Sequence, residues 1–73
     1  MDASVEFLAL TVNGETRGFP APLSVAGLVA ALELDMRKVA VELNREIVPR
    51  STYAAVQLRS GDSLEIVHFI GGG

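Results

Sequence analysis

The glycines at the carboxyl end, Gly71, Gly72 and Gly73, are the residues with the clearest chemical potential in this sequence. Because glycine has no Cβ and adopts positive φ readily, a run of glycines can lie extended in a narrow channel. The stretch from Ile70 to the end reaches about 14 Å at most, at about 3.3–3.6 Å per residue. We therefore expect residues 71–73 to form a flexible tail that presents the carboxylate of Gly73. An inert, frayed terminus is the plainer alternative.

Elsewhere the sequence offers no converging set of side chains for catalysis or metal binding. His68 is the single histidine and cysteine is absent, whereas a general base or a metal site needs several partners. We expect His68 to be structural or interfacial, and Asp62 to support its own turn. The sequence thus predicts no catalytic residue, no metal and no bound cofactor, so the chain would not be an enzyme by itself.

The composition predicts one small folded domain. Its 73 residues are 49% hydrophobic and 21% charged, which excludes the disordered class. A net charge of −3 argues against nucleic acid, which is bound by a concentrated basic face. No apolar run reaches the roughly 18–20 residues of a membrane span, and the first residues lack a secretion signal. We therefore expect no membrane partner and a cytoplasmic location.

Periodicity and turn residues predict the elements that position the tail. Asn13-Gly14 is typical of a two-residue hairpin turn, Ser24 is a good helix N-cap and Asp35 a plausible helix end. Leu8, Leu10 and Val12 share one strand face, and the helix carries an apolar stripe. The predicted elements are strands at 5–12 and 15–19, a helix of about ten residues from 25, strands at 39–43 and 47–48, a brief helical turn near 53–55 and a strand at 63–70.

This order predicts an α+β class with the β-grasp (ubiquitin-like) arrangement. It comprises a mixed sheet of four to five strands, with one main helix packed across one face. Residues 1–70 would form the domain and residues 71–73 the tail. The last strand would lie beside the first, so the tail would leave from a central strand.

An exposed apolar patch is predicted on the sheet face that the helix leaves uncovered. Leu64 and Ile66 should face the helix, which places Val67 and Phe69 on the opposite face. With the first strand as neighbour, Phe7 would lie close to them. Contiguous exposed apolar residues often mark partner sites. A strand register shifted by one residue would exchange the two faces.

The second half of the chain resembles a known family. Asn44-Arg45-Glu46-Ile47-Val48-Pro49-Arg50, then Gly61-Asp62, Glu65-Ile66-Val67 and the terminal glycines are similar to the ThiS family of sulfur carriers in thiamin biosynthesis. The likeness covers nearly the whole chain and is strongest from residue 39 onward. The family typically ends in Gly-Gly, which Gly72 and Gly73 match, whereas Gly71 is additional. Pro49 and Arg50 match the pattern, but the sequence suggests no physical role for Arg50 beyond a surface or partner contact.

The resemblance implies a function for the tail. A ThiF-type enzyme would use ATP to adenylate the carboxylate of Gly73. A sulfur donor such as a cysteine desulfurase would supply the sulfur that replaces AMP and leaves a thiocarboxylate. Thiazole synthase, ThiG, would then use that sulfur. The alternatives are a carrier like the small subunit of molybdopterin synthase, a ubiquitin-like protein modifier, and a non-catalytic β-grasp interaction module.

Overall fold

The computed structural model describes residues 6–69, and these residues form one sheet of five strands. The strands are β1 (Phe7–Val12), β2 (Glu15–Pro20), β3 (Val39–Leu43), β4 (Glu46–Ile47) and β5 (Ser63–His68). Their order in the sheet is β2-β1-β5-β3-β4. β1 and β5 are parallel, and the other neighbouring pairs are antiparallel. This is the β-grasp arrangement expected from the sequence.

The β1–β2 hairpin forms where the sequence predicts it. Asn13 and Gly14 have φ values of 50° and 85°, as a type I′ turn requires at both positions. Pro20 ends β2, which is an edge strand, so its missing N–H interrupts no ladder within the sheet. β5 lies between β1 and β3, and the last described strand is therefore central, as predicted.

In the described part of the chain, one α-helix, α1 (Val25–Ala31), covers one face of this sheet. The Ser24 hydroxyl accepts a hydrogen bond from the Gly27 N–H at 2.9 Å, which confirms Ser24 as the N-cap. Val25, Leu28 and Val29 are buried with strand residues such as Leu10 and Leu64 in one core. Because α1 has only seven residues, packing rather than propensity stabilises it. No helix within residues 6–69 is long and apolar enough to span a membrane.

The helix ends earlier than the sequence indicates, at Ala31 rather than near Asp35. Glu33 adopts φ 61°, and its N–H donates to the Ala30 carbonyl while the Leu34 N–H donates to the Val29 carbonyl. These two bonds form a Schellman motif, which satisfies the last helical carbonyls. Asp35 instead caps the 3₁₀ helix Met36–Lys38, where its side chain accepts from the Arg37 N–H.

Replacing Glu33 with glycine is expected to stabilise the domain by about 0.5–1 kcal/mol. A left-handed residue with a Cβ carries a penalty of about 1–2 kcal/mol, which glycine removes at a smaller entropic cost. Urea denaturation of the wild type and Glu33→Gly would measure the difference. Glu33→Ala removes the same charge but keeps the Cβ, so a gain of equal size in Glu33→Ala would contradict the explanation.

Candidate functional site at the end of strand β5

The described chain ends at Phe69, one residue beyond the end of β5. Beyond His68, the Phe69 N–H donates to the Lys38 carbonyl at 2.7 Å, which adds one more bond to the β3–β5 pairing. Ile70 and the predicted tail residues Gly71, Gly72 and Gly73 lie outside the described residues. The division into a 1–70 domain and a 71–73 tail therefore stays a prediction. Phe69 is the last described point of the path toward Gly73.

One asparagine side chain extends the β1–β5 ladder beyond the end of β1. The Asn13 amide accepts from the Ile66 N–H at 2.7 Å and donates to the Ile66 carbonyl at 3.2 Å. The Asn13 backbone N–H also donates to the Leu64 carbonyl. Asn13 thus supplies the bonds that a further residue of β1 would supply, and it holds the outer half of β5 in place.

A second asparagine binds β5 from the other side. Asn44 occupies the corresponding turn position between β3 and β4, with φ 51°, and its amide oxygen accepts from the Ser63 N–H at 2.9 Å. Its amide nitrogen donates to Asp62, whose other carboxylate oxygen accepts from the Arg59 N–H. The prediction that Asp62 supports its turn is confirmed. Asn44 thus binds the first residue of β5, and Asn13 binds its middle.

Arg50, for which the sequence suggested no role beyond a surface or partner contact, binds backbone carbonyls near the end of β5. Its Nε donates to the Met36 carbonyl at 3.0 Å, and a terminal nitrogen donates to the Val39 carbonyl at 3.2 Å. The Tyr53 hydroxyl lies 3.4 Å from the same Val39 carbonyl. Arg50 and Tyr53 therefore attach the segment after Pro49 to the segment 36–39.

The segment 36–39 is also fixed by an ion pair at its start. The Arg37 guanidinium donates two hydrogen bonds to the Asp35 carboxylate, at 3.1 and 2.9 Å. These side-chain bonds, together with the backbone N–H of Arg37, lower the pKa of Asp35 to about 2. The Asp35 side chain therefore stays ionised, and it continues to cap the 3₁₀ helix, from neutral pH down to mildly acidic pH.

The uncovered sheet face carries exposed apolar side chains next to the end of β5. Leu64 and Ile66 are buried toward α1, whereas Val67 is 57% and Phe69 48% exposed, so the predicted facing of β5 is confirmed. Val67 pairs with Ala40 of β3. Ile47 of β4 is 67% exposed and pairs with Glu42, which places it diagonally next to Ala40. We call Ile47, Ala40, Val67 and Phe69 the apolar band.

Phe7 does not belong to this band, which corrects the predicted patch. Phe7 is 66% exposed, but it lies four residues before Thr11, which pairs with Ser63, while Val67 lies four residues after Ser63. Because β1 and β5 are parallel, these two displacements point in opposite directions. Phe7 and Val67 are therefore eight residues apart along the strand direction, or about 26 Å at about 3.3 Å per residue. Phe7 instead pairs with Pro20 at the other end of the sheet.

Two glutamates interrupt the apolar band. Glu42 and Glu65 are direct cross-strand partners on the uncovered face, and Ile47 is the neighbour of Glu42 in β4. Like charges placed directly opposite each other reduce sheet stability. The face beside the end of β5 is therefore both apolar and acidic.

The remaining candidate residues form no site for a metal ion. Within residues 6–69, no three His, Asp or Glu side chains come close enough to hold one. His68 is exposed at the end of β5 and pairs with Val39. Sequence reasoning missed Ile47 and Arg50. In the sequence, Ile47 was recognisable only as an apolar residue directly before Val48-Pro49.

Known proteins resemble this chain in both sequence and fold. The family model described as the ThiS family matches residues 10–73. The crystal structure of the thiamine biosynthesis protein ThiS from Geobacter metallireducens superposes with a TM-score of 0.76 and 36% sequence identity. That match covers 90% of this chain and 100% of the Geobacter chain.

Two curated relatives differ in length. The sulfur carrier protein ThiS of Bacillus subtilis is 42% identical over 50 residues, which cover 68% of this chain and 76% of that protein. The thiazole synthase of Paramagnetospirillum magneticum is 56% identical over 66 residues, or 90% of this chain. The present chain spans only 20% of the length of that synthase.

Proposed function

Because this chain belongs to the ThiS family of sulfur carriers in thiamin biosynthesis, we propose that it carries sulfur on the terminal carboxylate of Gly73. The partners would be a ThiF-type adenylating enzyme, which consumes ATP, a sulfur donor such as a cysteine desulfurase, and thiazole synthase. The chain itself would act as a protein substrate and would catalyse none of these steps.

The proposed chemistry explains why a carboxylate needs an activating partner. A carboxylate is a poor electrophile because it is charged and offers no good leaving group. Attack of the Gly73 carboxylate on the α-phosphate of ATP releases pyrophosphate and forms an acyl-adenylate. The outer sulfur of a persulfide on the donor then attacks the acyl carbon, a C–S bond forms, the persulfide proton is released, and AMP leaves with the electrons of the broken C–O bond. A thiol, as the two-electron reductant, attacks the donor sulfur of the resulting acyl disulfide. The S–S bond breaks, a disulfide forms on the donor side, and the thiocarboxylate is released.

The position of β5 is the observation that carries this proposal. A partner that accepts the tail must hold ATP and the carboxylate in line, so the base of the tail needs a defined orientation. β5 lies between β1 and β3: β1 pairs with its first two residues, whereas β3 pairs with residues 64–68, and the Phe69–Lys38 bond extends that second pairing. The thiazole synthases that contain a similar segment support a thiazole synthase as the final acceptor.

Intact-protein mass spectrometry tests the proposal directly. The measured mass of the protein, purified from its native organism, should match the mass calculated for a chain that ends at Gly73. After incubation with ATP, a ThiF-type enzyme and a sulfur donor, its mass should increase by the replacement of one oxygen with sulfur, localised to the C-terminal peptide. A competent enzyme that leaves the mass unchanged would contradict sulfur carriage and would favour a β-grasp interaction module.

The apolar band is proposed to dock the adenylating enzyme. Replacing Val67 with aspartate should weaken binding of the carrier to a ThiF-type enzyme about ten- to thirtyfold, because a charge would be buried at the centre of the contact. Phe7→Asp is the matched control, since Phe7 is also well exposed but lies at the far end of the sheet. Isothermal titration calorimetry measures both affinities, and equal losses in the two variants would refute the assignment.

A further inference from the structure

Arg50 binds the backbone of residues 36–39, and this segment binds Phe69, the last described residue. Its guanidinium binds the carbonyls of Met36 and Val39. Between these two residues lies Lys38, whose carbonyl accepts the N–H of Phe69 at 2.7 Å. Two side-chain bonds from Arg50 thus flank the residue whose carbonyl binds Phe69, the last described residue.

We infer that Arg50 is a positioning residue for the tail, because it fixes the backbone that binds Phe69, the last described residue before the tail. This inference rests on the proposed function, since direction matters only if the tail must enter a partner site. Within residues 6–69, the hydrogen bonds of the Arg50 side chain go to backbone carbonyls. The effect of Arg50 on the tail would be transmitted by the Lys38 carbonyl. Because this carbonyl lies between the Met36 and Val39 carbonyls, which Arg50 binds, it has little freedom to move.

The geometry suits arginine and not lysine. The planar guanidinium presents several N–H donors in a fixed fork, so one side chain can bind two carbonyls at once. A lysine ammonium carries the same charge but is a single point on a flexible stem. The Met36 and Val39 carbonyls are three residues apart in sequence, and binding both of them makes the segment 36–39 rigid. We therefore expect Arg50→Lys to recover only part of the function.

Amide hydrogen exchange tests the structural half of the inference without any partner. In Arg50→Ala, the Phe69 amide should exchange about tenfold faster than in the wild type, because its acceptor carbonyl is no longer held. Arg50→Lys should lie between the two proteins. Arg59→Ala removes the same charge at the turn before β5, at the opposite end of that strand, and should leave the Phe69 amide unchanged. Equal exchange in Arg50→Ala and the wild type overturns the inference.

Adenylation kinetics with a ThiF-type enzyme test the functional half. The kcat of Arg50→Ala should fall about tenfold, with KM for the carrier within about twofold, since the apolar band is intact and only tail orientation is lost. Insertion of two glycines after Phe69 uncouples the tail from the sheet, so Arg50→Ala should then have no additional effect on kcat. A loss that persists in the inserted protein indicates a merely structural role and overturns the inference. A wild type that is not adenylated at all refutes the proposed function instead, and the exchange result is then judged separately.

Discussion

Replacing Gly72 with valine is expected to lower adenylation by a ThiF-type enzyme at least about 100-fold, the size of loss caused by a small misplacement of reacting groups. The valine side chain adds bulk where the proposed channel must fit closely around the backbone, and it narrows the φ/ψ range of the tail. The midpoint of thermal unfolding should stay unchanged, because residue 72 lies beyond β5 and outside the described core. Deletion of Gly73 should have a similar effect, since it shortens the reach of the carboxylate.

Gly18→Val is the matched control for this prediction. Gly18 lies in β2, has no positive φ, and a Cβ added there would meet nothing within 4 Å. The same chemical change at Gly18 should therefore leave adenylation close to the wild-type rate. Rates are measured by pyrophosphate release or by mass spectrometry of the carrier. Normal adenylation of Gly72→Val, or an equal loss in Gly18→Val, would rule out a tail that enters a narrow site.

Replacing Asn13 with alanine is expected to destabilise the domain by about 2–4 kcal/mol. The change removes both amide bonds to Ile66 and leaves its partly buried N–H and carbonyl without partners, at about 1–3 kcal/mol for each such group. An alanine at φ 50° adds a further penalty. Chemical denaturation followed by circular dichroism measures the loss.

Asn44→Ala provides a closely matched comparison. Asn44 has φ 51°, so the backbone penalty of alanine is the same, but its bonds to Ser63 and Asp62 are exposed and water can replace them. We expect a loss of about 1–2 kcal/mol, clearly less than for Asn13→Ala. If the two variants lose equal stability, backbone conformation explains both effects, and the Asn13 amide contributes nothing specific to holding β5.

The sequence was sufficient for the features that depend on local chemistry. Asn13-Gly14 predicted the hairpin because few residues tolerate positive φ at both turn positions. Ser24 predicted the helix start because its hydroxyl can reach the N–H of the third residue beyond it. Alternation correctly separated buried Leu64 and Ile66 from exposed Val67. The helix end was missed because Glu33, rather than a glycine, occupies the left-handed position.

Features that depend on long-range geometry were not accessible to the same reasoning. Alternation identifies which face a side chain occupies, but it does not give the stagger between two parallel strands. Phe7 was therefore assigned to the correct face but to the wrong end of it. The role of Arg50 was also missed, because its acceptors are main-chain carbonyls 11 and 14 residues away, and every residue has a carbonyl.

The central position of β5 also determines how the domain responds to mechanical load. An enzyme that draws the tail into its own site would pull along the axis of β5. The start of β5 is fixed by the bonds of Asn44 to Ser63 and Asp62. Positions 64–68 of β5 pair with positions 39–43 of β3, so such tension acts in shear on all five pairs together. A pull perpendicular to the strand would instead break these bonds one at a time. The fold can therefore transmit force from its terminus without opening from that end.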